Sequence, residues 1–64
     1  MMHKFGDILI GDLFNTKPAR WVKISPDTAI CVMSAVLPVG FIGTFKHDYE
    51  IVLLWSALLN VEVS

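Results

Sequence analysis

The sequence predicts an all-β domain, a small barrel or sandwich of about five short strands. Three observations carry this expectation. Short apolar stretches recur along the chain with turn residues between them. The stretch WVKIS, residues 21–25, alternates with period two, as a strand with one buried face does. The opening FGDILIGDLF, residues 5–14, interrupts an apolar run with Gly11-Asp12, a pair suited to reversing the chain.

Taken in order, residues 1–4 read as a short lead-in. Phe5, Ile8, Leu9 and Ile10 supply the first apolar residues. Gly11 takes positive φ without steric penalty, and Asp12 bonds nearby backbone N–H groups, so the pair predicts a tight turn before Leu13-Phe14. NTKPAR, residues 15–20, is polar with one proline and reads as a loop. In WVKIS the alternation places Val22 and Ile24 on one side and Trp21, Lys23 and Ser25 on the other, and the face shared with Lys23 and Ser25 makes Trp21 the better candidate for exposure. SPD, residues 25–27, is a turn, with Pro26 presetting φ and Asp27 capping the backbone. TAICVMSAV, residues 28–36, is the next strand, and LPVG, residues 37–40, has turn chemistry. FIGTF, residues 41–45, is a further strand with Gly43 as a bulge position. KHD, residues 46–48, is a polar break.

The stretch YEIVLLWSALLNVEVS, residues 49–64, fits two readings. Tyr49, Ile51, Leu53 and Trp55 alternate with Glu50, Val52 and Leu54. Ile51, Leu54, Trp55, Leu58 and Leu59 also sit at helical spacing, and period alone does not separate the two in a short apolar run. A strand over 49–55, a break near Ser56 and a short terminal strand around 58–63 is the preferred reading, with a helix as the alternative.

The 64 residues hold a single domain, residues 1–64. A domain of this size buries only about 60% of its unfolded surface. Disulfides, a metal or oligomerisation usually make up the deficit. Cys31 is the only cysteine, so no intrachain disulfide forms. Cys31, His3 and His47 lack the paired spacing of a zinc site, and no metal or cofactor is expected. Oligomerisation or partner binding remains. Apolar residues make up 55% and charged residues 17% of the chain, against roughly 45–50% and 25% in ordinary domains, so apolar residues must reach the surface or an interface.

The net charge of −1 argues against a nucleic-acid binder. Lys17, Arg20 and Lys23 cluster, and with aromatic stacking they form the basis of a nucleic-acid-binding alternative. A second alternative is membrane association through residues 28–45, TAICVMSAVLPVGFIGTF, which carry no charge and reach the length of a spanning segment. Pro38, Gly40 and Gly43 and the hydroxyls of Thr28, Ser34 and Thr44 weigh against it. No signal peptide is expected from the start of the chain. Nor is catalysis. His47 and Asp48, as strand neighbours, would point to opposite faces. Cys31 has no nearby positive charge in sequence to activate its thiol. Gly40 and Gly43 lack the Lys-Ser/Thr of a phosphate loop.

ILIGDLF followed by a polar loop and WVKIS resembles the diverging turn and next strand of Src-homology-three-like small barrels. Peptide-binding members carry an aromatic-rich first strand and a late Pro-Tyr element. This chain has neither, so their proline-peptide groove is not implied. FGDILIGDLF, VKISPDTAICV and GTFKHDYEIVLL together resemble a group of small β proteins encoded by bacterial viruses and mobile elements. That group has a Phe-x-Asp-Leu-x-x-Gly-Asp start, and Ile8 stands here in place of its Leu. The resemblance implies a small β fold and a viral origin, and no activity.

The expected function is a non-catalytic protein-interaction module, a phage accessory protein that binds a host protein and inhibits or redirects it in the bacterial cytoplasm. Self-association is the other expected contact. Trp and Tyr dominate interface hot spots. The expected partner-binding residues are Trp21, Lys23, Arg20, Tyr49, Trp55 and Leu58, with Trp21 placed outward beside Lys23.

Overall fold

A computed structural model describes residues 2–56. The described residues form one antiparallel sheet of six strands: β1 (Met2–Lys4), β2 (Leu13–Asn15), β3 (Ala19–Lys23), β4 (Thr28–Ser34), β5 (Ile42–Thr44) and β6 (Glu50–Trp55). One 3-10 turn, Phe5–Asp7, follows β1. The spatial order is β1-β6-β2-β3-β4-β5. The all-β expectation holds. The expected closed barrel does not, because the sheet is open with β1 and β5 at its edges.

The lead-in at 1–4 is also corrected, because Met2, His3 and Lys4 pair with Val52, Ile51 and Glu50 as β1. Of the two readings of residues 49–64, the strand is the one formed, over Glu50–Trp55. It sits between β1 and β2, where the ladder on both sides satisfies its backbone. The expected terminal strand at 58–63 and Leu58 lie outside the described residues.

Gly11 has φ +98° and turns the chain, as its pairing with Asp12 predicts. Its N–H donates to the Lys23 carbonyl at 2.7 Å, and Lys23 N–H donates to the Asp12 carbonyl at 3.1 Å, so the turn is tied to the end of β3. In the turn after β3, Ser25 Oγ accepts from Thr28 N–H at 3.0 Å and donates to Asp27 Oδ1 at 3.0 Å.

The core lies on one side of the sheet. Phe14, Ala19, Trp21, Ala29, Cys31 and Ile51 face it, and Phe5 and Ile8 close it from the 5–8 segment. Phe45, partly buried, is the aromatic hub. Its ring stacks on Phe5 at 4.9 Å between centroids and meets Phe14 at 5.6 Å and Trp21 at 5.0 Å edge to face. Such pairs stabilise beyond the area they bury.

The inward face of β3 is the reverse of the expectation. Trp21 and Lys23 are each 4% exposed, whereas Ile24 is 41% exposed. Small residues opposite β3 explain the Trp21 choice. Ala29 and Cys31 on β4 and Gly43 on β5 leave room for the indole, and a Cβ on Gly43 would stand 3.1 Å from Trp21 Cη2. Gly43 is therefore a site of close approach. It is not the expected bulge, because it pairs in register with Ala29. The Trp21 indole N–H donates to Thr16 Oγ1 at 2.9 Å, so its polar edge is satisfied.

Candidate interaction face

Directly opposed residues on antiparallel strands share a face. The register therefore defines what the outer side of the sheet presents. Leu13 pairs with Trp55 on β6 and with Val22 on β3. Val22 pairs with Ile30 on β4, and Ile30 with Ile42 on β5. Trp55, Leu13, Val22, Ile30 and Ile42 thus form one row across five strands, opposite the core. The ends of the row are the more exposed, Trp55 at 45% and Ile42 at 57%, and its middle is half-buried.

Two irregularities set this row. A register shift between Leu13 and Phe14 lets Phe14 oppose Leu53 on the core side while Leu13 opposes Trp55 outside. A second shift, between Arg20 and Trp21, sets Arg20 opposite Met33 and Trp21 opposite Cys31. Bulges re-aim side chains in this manner.

A second outer row runs beside the first. Met2 pairs with Val52, Val52 with Asn15, Asn15 with Arg20 and Arg20 with Met33. Two shallow grooves lie along it on either side of the loop between β2 and β3. One, of about 380 Å³, is lined by Met2, Asn15, Lys17, Tyr49, Glu50 and Val52 among others. The other, of about 220 Å³, is lined by Lys17, Arg20 and Met33 among others. Asn15, Thr16 and Lys17 belong to both. Arg20 is half-buried, and its Nε is buried without a hydrogen-bond partner.

The residues expected to bind a partner separate accordingly. Arg20 and Tyr49 line adjoining grooves, and Trp55 ends the neighbouring apolar row. Trp21 and Lys23 are inside, which corrects their outward placement. The Lys23 ammonium donates to the carbonyls of Phe5 at 2.9 Å and Ile8 at 3.0 Å and stands 4.5 Å from the centre of the Phe5 ring. It is part of the packing, and Lys17 and Arg20 are what remains outside of the basic cluster.

Sequence reasoning missed the buried polar group next to it. Asp12 is almost fully buried, and its Oδ2 accepts from Leu9 N–H at 2.9 Å and from the Ser56 hydroxyl at 3.1 Å. The Gly-Asp pair marked the turn. Nothing in the sequence pointed to Ser56, forty-four residues on, as the second donor.

Of the groups weighed for chemistry, Cys31 is fully buried and His47 and Asp48 sit in an exposed turn. Residues 28–45 form β4, a loop and β5, and among the described residues no helix is long and apolar enough to cross a membrane. No family model matches the chain, and no curated protein or solved structure matches it.

Proposed function

We propose that the protein is a non-catalytic protein-interaction module whose partner seats in the two grooves beside the β2–β3 loop. The observation that carries this reading is the convergence of Arg20, Lys17 and Tyr49 on grooves floored by Met2, Val52 and Met33. Arg and Tyr are enriched among hot-spot residues. Their setting fits a partner segment that offers apolar side chains to the floor and a carboxylate or carbonyl to the two cations. The likeness to proteins of bacterial viruses supports a host protein as that partner, met in the bacterial cytoplasm and inhibited or redirected by the contact. The likeness of residues 8–25 to Src-homology-three-like barrels supports reading the open sheet as a variant of that architecture.

The test is paired capture. Wild-type chain and an Arg20→Ala/Tyr49→Ala variant, shown by circular dichroism to be equally folded, are used as baits in host lysate. A protein retained by the wild type alone, then titrated in pure form with at least about tenfold weaker binding to the variant, supports the site. Identical capture by both baits refutes it.

A further inference from the structure

We infer that two copies of this chain associate face to face through the row Trp55, Leu13, Val22, Ile30 and Ile42. This goes beyond the groove reading and rests on a different row of residues. Four observations support a second copy as the occupant.

The row spans five of the six strands and contains no charged residue. Ile24, at the end of β3 and 41% exposed, adds to it. Contiguous apolar surface of this kind marks a contact site.

The row stands open along its length. Trp55, Ile42 and Ile24 are 45%, 57% and 41% exposed, and Leu13, Val22 and Ile30 between them are half-buried. A second copy laid on it would cover apolar side chains from every strand but β1, as the apolar core of an interface does.

The charges allow it. With a two-fold axis running along the row, each strand crosses its own copy in the opposite direction, and the row lies on itself. Arg20, one pair away from Val22 along β3, then faces the side of Ile24 and Thr28 in the other copy and not the other Arg20. The contact is isologous, the commonest form of self-association, and two sheets pack this way about 10 Å apart.

The size of the described core favours it. Among the described residues the core has eight buried apolar residues and no cluster of metal-ligating side chains, and the chain's only cysteine is unpaired. A domain this small is commonly completed by association.

Light scattering on the full chain tests this. Twice the chain mass at micromolar to submillimolar concentration, reduced to a single chain by Ile42→Glu with an unchanged far-ultraviolet spectrum, is the expected result. Ile42 is an exposed edge residue, so the substitution spares the core. As a second arm, Val22→Cys should be joined into dimers by a short bis-maleimide, with buried Cys31 unreactive. Met33→Glu lies in the other row. It should leave the dimer intact while impairing partner capture, so the two readings fail separately. A wild-type chain that stays monomeric throughout would overturn the inference. So would a dimer indifferent to Ile42→Glu that does not cross-link at residue 22.

Discussion

Lys23 and Phe5 meet twice: the ammonium Nζ donates to the Phe5 carbonyl at 2.9 Å and stands 4.5 Å from the centre of its ring. With the Ile8 carbonyl at 3.0 Å, one lysine from β3 holds both ends of the 5–8 segment over the core. A desolvated cation–π contact and charged hydrogen bonds are each worth about 2 kcal/mol. Lys23→Met keeps the stem but takes the ammonium from both carbonyls, leaving Phe5 O only the 3.4 Å bond from Ile8 N–H. It should lower unfolding stability by about 2–4 kcal/mol in urea titrations. A loss under about 0.5 kcal/mol would show that the ammonium contributes nothing to the fold.

Asp12 and Ser56 join the Gly11 turn to the end of β6. Ser56→Ala removes one donor and should destabilise by about 1 kcal/mol. Asp12→Ala also releases Leu9 N–H and should destabilise by about 2–3 kcal/mol. Because both losses share Oδ2, a double-mutant cycle should give a coupling energy of about 0.5–1 kcal/mol. Strictly additive effects would mean that the hydroxyl and the carboxylate do not act on one another.

Gly11 separates backbone strain from crowding. A side chain there would meet nothing within 4 Å, so only its φ of +98° resists substitution. Gly11→Ala should destabilise by about 1–2 kcal/mol. The chain is short enough for chemical synthesis, and D-alanine at the same position accepts positive φ. That variant should match or exceed the wild type by up to about 1 kcal/mol, because it narrows the unfolded ensemble. Equal destabilisation by both forms would place the cause in contacts instead.

The positions of β4, β5 and β6 were legible because each depends on local signals, whereas β1 and the ends of β2 and β3 within 15–20, polar stretches that read as lead-in and loop, were not. Gly11-Asp12 announced the first turn, Pro26 the second, and Gly40 the third, where φ is +95°. Which face points inward was not legible in β3. Alternation states that Trp21 and Val22 differ, and polarity, which sends a lysine to water, points to the wrong face. The burial of Lys23 depends on carbonyls fifteen and eighteen residues away, which no local pattern contains. A usable clue lay in the small residues Ala29, Cys31 and Gly43, which make room for an indole only if Trp21 faces them. The outer row was hidden for a related reason, since it exists only through the two register shifts. Arg20 and Tyr49 were named from residue type alone, and pairing brought them to neighbouring grooves.

The two tryptophans report on the two faces of the sheet. Trp21 is 4% exposed and Trp55 is 45% exposed. Trp55→Phe should leave a blue-shifted emission that acrylamide quenches weakly. Trp21→Phe should leave the emission of Trp55, red-shifted and readily quenched in a dilute monomer. It also removes the indole bond to Thr16 and part of the ring that fills the space over Gly43, so about 1–2 kcal/mol of stability should go with it. If copies pair through the outer row, the Trp55 signal of Trp21→Phe should shift to the blue and resist quenching as concentration rises, whereas the Trp21 signal should not change. An emission from Trp55 that is shielded at every dilution would place another part of the same chain over the row, and one exposed at every concentration would leave the row uncovered.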